Sequence, residues 1–286
     1  MSDARRVTKP TDDSLLRDAG IETGEVLVGK QRLRYALRPG HGAPLLFCNG
    51  IGANLELVVP LLRKLAERPV VIVDLPGTGG SPSGWFWPSL PRYARMVVGA
   101  LDQLGFDGPF AVAGVSWGGG LAQQIARDYK KRVSHLILMA TSPGITMMPG
   151  KPSALLRMMT PQRYFSRGYM ARHAATLYGG EMRNRRDHAL QHAYSTTAPS
   201  GRAYIQQVMA MYQFSSLPWL RCIRCPALVI SGDDDPLVRP VNARILAAVL
   251  RDAQLHIVPG GGHLFITLRP NETAALIDTF IGAEPR

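Results

Sequence analysis

The stretch Phe110-Ala-Val-Ala-Gly-Val-Ser-Trp-Gly-Gly-Gly-Leu121 decides how the rest of the chain is read. Its first half is an unbroken apolar run of the kind that fills a strand buried on both faces of a parallel sheet. Its second half continues with helical spacing to Tyr129. Between them, Gly114-Val115-Ser116-Trp117-Gly118 fits the pattern G-x-S-x-G. A strand, a sharp turn and a helix form the setting that a nucleophile elbow requires. The turn forces a strained backbone at Ser116, and the small Gly114 and Gly118 let neighbouring backbone pass. The hydroxyl of Ser116 is then expected above the carboxyl edge of the sheet.

Outward from this point, short apolar runs alternate with helical patterns. Eight strands are expected, at Glu25–Val28, Arg32–Arg38, Pro44–Cys48, Val70–Asp74, Phe110–Val115, His135–Ala140, Pro226–Ser231 and Gln254–Val258. The first two alternate in polarity and suit an antiparallel edge hairpin. Helices are expected at Leu55–Ala66, Leu90–Leu104, Trp117–Tyr129, Val241–Leu250 and Glu272–Ile281. This alternation predicts an open, mostly parallel α/β sheet with helices on both faces. Residues 141–220 break it, because they contain no convincing buried strand. Met139 to Met211 holds nine of the eleven methionines, and Lys151 to Arg202 carries nine basic residues against Glu181 and Asp187. We read 141–220 as a helical insertion after the sixth strand, with 1–140 and 221–286 as the core.

A serine hydroxyl needs a base, and the base needs an orienting acid. Both follow in the order Ser…Asp…His. The acid lies in Gly232-Asp233-Asp234-Asp235-Pro236-Leu237-Val238, where three adjacent aspartates leave the choice open. Asp235 is preferred, since Pro236 fixes the chain and Leu237-Val238 returns it to the core; Asp234 comes second. The base is His263, at the end of Pro259-Gly260-Gly261-Gly262, whose glycines are expected to let the loop swing toward Ser116. Two backbone donors must hold an oxyanion. The choices are the N–H of Trp117 and that of Ile51, in Asn49-Gly50-Ile51-Gly52-Ala53, although the glycines there also suit a simple tight turn.

Composition excludes other classes. At 286 residues and 46% hydrophobic against 19% charged, the chain has ample material for a globular core. No run of eighteen apolar residues exists, and Met1–Arg17 lacks the apolar middle of a signal peptide. Three cysteines without such a signal point to a reducing compartment rather than a disulfide scaffold. The net charge is +12, but the basic residues are dispersed, so nucleic acid is not the expected partner. Asp74-Leu-Pro-Gly-Thr-Gly-Gly-Ser81 lacks the lysine of a phosphate-binding loop and is read as shaping the site. Cys222-Ile-Arg-Cys225 lacks a second ligand pair nearby; it and Cys48 are read as structural, with no metal and no cofactor expected.

With Ser116, Asp235 and His263 in order and the Asp74 loop in place, the chain resembles the α/β-hydrolase family over nearly its whole length. Within that family it is similar to intracellular medium-chain-length poly(3-hydroxyalkanoate) depolymerases. The stretches that carry this are Asn49-Gly-Ile-Gly-Ala-Asn-Leu-Glu-Leu57, Gly114-Val-Ser-Trp-Gly-Gly-Gly120 and Ala140-Thr-Ser-Pro-Gly144. The resemblance implies a serine ester hydrolase, a cytoplasmic protein at a polyester granule surface, and an insertion acting as a lid. Met147, Met148, Met158, Met159, Met170, Met182, Met209 and Met211 suit either an adaptable apolar lid surface or plain helix core. Trp85, Phe86 and Trp87 form a second aromatic cluster. Arg157, Arg163, Arg167, Arg172, Arg183, Arg185 and Arg186 suit either a granule surface or a solvated helix face. Alternatives are a carboxylesterase or thioesterase for soluble acyl substrates, an acyltransferase, and a granule-binding protein without turnover.

Overall fold

The computed structural model describes residues 13–160 and 166–282. Arg163, and the side chains of Met159, Arg167 and Arg186, lie outside what it describes, as does most of the stretch read above for a signal peptide. Eight strands form one sheet: β1 (Glu22–Val28), β2 (Gln31–Arg38), β3 (Leu45–Cys48), β4 (Val70–Val73), β5 (Phe110–Val115), β6 (Val133–Met139), β7 (Ala227–Gly232) and β8 (Ala253–Val258). Their spatial order is β1-β2-β4-β3-β5-β6-β7-β8. β1 and β2 pair antiparallel through a tight turn at Gly29-Lys30, and β2 runs antiparallel to β4. Every other pairing is parallel.

The apolar runs become inner strands because both faces of the sheet are covered. Along β5, Phe110 and Val112 pack into one core cluster, while Ala111, Ala113 and Val115 pack into the other. β6 repeats this, with Leu136 and Leu138 on one side and Ile137 and Met139 on the other. Of the helices with eight or more residues, α1 (Leu90–Gln103), α2 (Trp117–Asp128) and α7 (Pro240–Val249) cover the first face. The second face is covered by α8 (Pro270–Gly282) and the one-turn helices Val59–Leu62 and Phe265–Leu268.

The helix expected at Leu55–Ala66 is a correction. The segment forms a 3-10 turn at Leu55–Val58 and a single α turn at Val59–Leu62. The guanidinium of Arg38 donates to the carbonyls of Leu62 (2.6 Å), Leu65 (2.8 Å), Ala66 and Arg68 (3.0 Å). Those acceptors are satisfied by a side chain from β2, so the chain leaves the helix without exposing orphan carbonyls.

Between β6 and β7 stand α3 (Pro152–Met159), α4 (Arg167–Tyr178), α5 (Arg186–Ser195) and α6 (Gly201–Tyr212). Ser166 and Ser200 cap α4 and α6, accepting from the amides of Tyr169 and Ala203. Ala154, Met170, Ala174, Leu177, Tyr178, Met182 and Ala189 share a small core of their own with Leu237.

Candidate active site

Ser116 closes β5 and precedes α2 with φ 55° and ψ −119°, a left-sided conformation that a side-chain-bearing residue adopts only under constraint. The constraint is visible. Its N–H donates to the Met139 carbonyl (2.9 Å), and its carbonyl accepts from the Thr141 hydroxyl (2.6 Å) and the Gly119 amide (3.0 Å). A Cβ at Gly114 would sit 2.2 Å from the Gly118 carbonyl oxygen, and one at Gly118 would sit 2.1 Å from that of Cys48. Both glycines are there for close backbone approach, as the motif requires.

Asp235 and His263 come together from loops after β7 and β8. The Asp235 carboxylate lies 2.7 Å from His263 Nδ1, with both side chains buried. Its second oxygen accepts from the amides of Leu237 (2.8 Å) and Val238 (2.9 Å), which fixes the carboxylate in place. This contact orients the ring with Nδ1 toward the acid and Nε2 available to a nucleophile. The neighbouring aspartates do other work. Asp233 accepts from the Gly260 amide (2.7 Å), and Asp234 pairs with Arg183 (2.6 Å) and the Gly180 amide (2.7 Å). The Arg183 guanidinium holds the Asp234 carboxyl below the usual carboxylate range.

The glycines before His263 do not form a swinging loop, contrary to the sequence expectation. A Cβ at Gly262 would lie 2.3 Å from the Tyr178 carbonyl oxygen, and one at Gly180 would lie 2.2 Å from the Gly262 amide nitrogen. The His263 amide donates to that same Tyr178 carbonyl (2.7 Å). Bare backbone of the insertion is thus pressed against bare backbone of the histidine loop.

Ser116 and His263 open onto one cavity of about 90 Å³, whose lining includes Ile51, Leu57, Met158, Met170, Tyr178 and His192. Four of those six come from the insertion, and the sequence reading did not place Tyr178 or His192 at the site. Of the methionines named for a lid surface, Met158 and Met170 reach the cavity. The Tyr178 ring lies near-parallel to the His263 imidazole at a centroid distance of 6.4 Å. Trp117 is the first residue of α2, so its N–H is among those without an intrahelical partner. Its indole donates to the Gln207 carbonyl (2.8 Å), and the side-chain oxygen of Gln207 accepts from the Gly52 amide (2.8 Å).

The Asp74 loop supports this region and does not line the cavity. The buried Asp74 carboxylate accepts from the Leu55 amide (3.0 Å), the Gly80 amide (2.9 Å) and Arg34 (3.0 Å). Arg34 also bonds Glu56 (2.8 Å) and Asp13. Burial pushes the Asp74 carboxyl up to about 7, against the pull of the Gly80 amide and Arg34. Asn54 then ties the loop after β3 to the insertion, donating to the Ser195 carbonyl (3.2 Å) and accepting from the Thr197 amide (3.1 Å). Cys48 is buried, Cys222 exposed and Cys225 half-buried, all as free thiols. Among the described residues, no three His, Cys, Asp or Glu side chains are grouped to hold a metal ion, and no helix is long and apolar enough to cross a membrane.

The chain belongs to the alpha/beta hydrolase fold family, which it matches over residues 43–270. It is 42% identical over 262 residues to a poly(3-hydroxyalkanoate) depolymerase of Ectopseudomonas oleovorans, covering 91% of this chain and 92% of that one. It is 26% identical to a pimeloyl-[acyl-carrier protein] methyl ester esterase of Stenotrophomonas maltophilia, over 85% of this chain and 95% of that one. Among solved structures, the enol-lactonase of Burkholderia xenovorans superposes with a TM-score of 0.77 at 20% identity, covering 91% of this chain and all (100%) of that one.

Proposed function

We propose that the protein is a serine ester hydrolase that cleaves medium-chain-length poly(3-hydroxyalkanoate) to 3-hydroxy acids and oligomers. The observation that carries this reading is the buried Asp235–His263 contact (2.7 Å) beside a cavity shared with the strained Ser116. The substrate class rests on the 42% identical relative. In the reaction, His263 Nε2 takes the proton from Ser116 as Oγ attacks the ester carbonyl. The oxyanion is held by the amides of Ile51 and Trp117. Collapse breaks the ester C–O bond, and the alcohol end of the polymer leaves with the proton from His263. Water, deprotonated by His263, then attacks the acyl-Ser116 ester, and the released serine recovers the proton. Asp235 keeps the imidazole in the required tautomer throughout.

Residues 141–220 serve as a lid over the core formed by 1–140 and 221–286, and the polymer granule surface is the working partner. The unbranched thioethers of Met158 and Met170 adapt the apolar wall to acyl side chains of differing length. The test is incubation of the purified protein with emulsified medium-chain and short-chain polyesters, with mass spectrometry of the released acids. Release of medium-chain 3-hydroxy acids by the native protein, abolished in Ser116→Ala, is the expected result. Turnover of soluble p-nitrophenyl octanoate with no acid released from either polymer would overturn the substrate assignment. Undiminished activity in Ser116→Ala would overturn the mechanism.

A further inference from the structure

Helix α6 has two faces with different tasks. Its inner face holds the buried Gln207, joined to the Gly52 amide and to the Trp117 indole as described. On its outer face, Ile205 (60% exposed), Met209 (38%) and Tyr212 (70%) recur with Arg202 at helical spacing. They fall within an arc of about 80° at 100° per residue. Beside them stand Trp85 (84% exposed) and Trp87 (68%). The two pieces are laced together. The Gln206 amide donates to the carbonyls of Gly84 (3.3 Å) and Phe86 (3.2 Å), Ser83 bonds Ser200 (2.8 Å), and the Trp87 indole donates to Gln213 (3.3 Å). The Arg202 guanidinium lies 3.6 Å from the centre of the Trp85 ring. Phe86 is the exception in the aromatic run; it turns inward, edge-on to Tyr93 at 5.4 Å.

We infer that Trp85, Trp87, Ile205, Met209 and Tyr212 form a platform by which the protein settles on the surface of solid polyester, an inference that rests on the proposed function. Large apolar side chains grouped in the open mark an interaction surface, and indoles favour a boundary that is apolar on one side and wet on the other. Charge selects the occupant. No Asp or Glu occurs in residues 75–101 or 188–232, the segments that carry the platform residues. Its ionic groups include Arg202 over Trp85 and Arg92 over Phe86 (5.2 Å), and the β1–β2 turn lines the groove beside Trp85 with Lys30 and Arg32, the latter paired with Glu25 (3.5 Å). A polyester surface under hydrolysis is apolar and gains one carboxylate chain end with each ester cleaved, so it matches an apolar face with an excess of cationic groups. Because α6 also grips the Gly52 loop and Trp117, this contact brings the polymer against the element that frames the proposed oxyanion site.

The test uses a Ser116→Ala background, so that adsorption is read without digestion, on emulsified medium-chain polyester. Trp85→Ala/Trp87→Ala is expected to lower the adsorption constant at least tenfold. The same pair in the active protein should leave turnover of dissolved p-nitrophenyl octanoate within twofold. Arg202→Glu, which keeps the apolar residues, should weaken adsorption severalfold, with the loss growing as the surface accumulates carboxylates. Wild-type adsorption by the tryptophan double variant overturns the inference, as does a parallel fall in soluble-ester turnover, which would mark the face as part of the fold. Equal tryptophan-dependent binding to anionic phospholipid vesicles, or to a second copy of the chain in size-exclusion chromatography, overturns polyester as the occupant. Platform-dependent adsorption by a wild-type protein that releases no acid from polymer would sink the hydrolytic function and leave the platform standing.

Discussion

Replacing Asp235 by Asn removes one charge and leaves the shape of the site almost unchanged, which makes the outcome calculable. The oxygen that accepts from Leu237 and Val238 can stay where it is, at 2.8 and 2.9 Å. The new amide NH2 then faces His263 Nδ1 in place of the oxygen at 2.7 Å. A donor at that position is compatible only with an unprotonated Nδ1. The ring is driven into the tautomer that carries its proton on Nε2, which cannot accept the proton of Ser116. A wrong tautomer in such a constellation costs about 10⁴ in kcat, or about 5.5 kcal/mol of barrier at 1.36 kcal/mol per tenfold. Loss of the charge-assisted bond costs about 1.5–3 kcal/mol of stability, which for a chain of this size lowers Tm by about 3–5 °C. The protein therefore stays folded at 25 °C while its activity collapses. Initial rates on p-nitrophenyl octanoate, with melting curves on the same samples, measure both quantities. Asp234→Asn is the control, because that carboxylate serves Arg183 and Gly180, and its rate should stay within about threefold. Should Asp235→Asn retain a tenth of the native rate, or Asp234→Asn lose as much as Asp235→Asn, the assignment of the orienting acid is wrong.

Other perturbations probe the supports. Gly262→Ala puts a methyl 2.3 Å from the Tyr178 carbonyl oxygen, so it should cost about 1–3 kcal/mol in a urea titration and depress kcat through the displaced His263. Arg34→Met strands the buried Asp74 carboxylate; a loss of about 3–5 kcal/mol, or about 5–8 °C in Tm, is expected, with partial recovery in Arg34→Met/Asp74→Asn. Asp234 is held ionised below the usual carboxylate range by Arg183, so between that lowered value and about pH 4 the unfolded chain binds the extra proton and stability rises with pH. The exposed pair contributes no more than about 1 kcal/mol, present above pH 4 and lost on acidification. Urea midpoints from pH 3 to 5 should show a shallower slope in Arg183→Gln than in the native protein.

The sheet was legible in the sequence because burial on two faces leaves local traces. The continuous run Phe110–Val115 is β5 to the residue, and the glycines of the elbow show the clashes that their pattern implied. What escaped was set by partners distant in the chain. The Leu55–Ala66 pattern has helical spacing, but Arg38 takes the carbonyls that would have continued the helix. The three aspartates are equivalent as a sequence, and only the approach of Gly260, Arg183 and His263 tells them apart. Tyr178 and His192 carry no local mark of a site; they reach the cavity because α4 and α5 fold back over it. The glycines before His263 were misread for a related reason, since flexibility and close contact call for the same residue.

That contact has a consequence for how the activity can be altered. Where Gly179 and Gly180 meet the loop at Gly260 to Gly262, two unadorned chains lie flush, and the smallest added methyl would prise them apart. Under the proposed lid role of residues 141–220, the junction works as a registration pin: it sets the height of the roof above Ser116 without specifying what the roof is made of. Redesign of acyl preference should therefore diversify Leu57, Met158 and Met170 freely and leave the pin untouched, because a methyl added there displaces His263 and the wall that Tyr178 contributes.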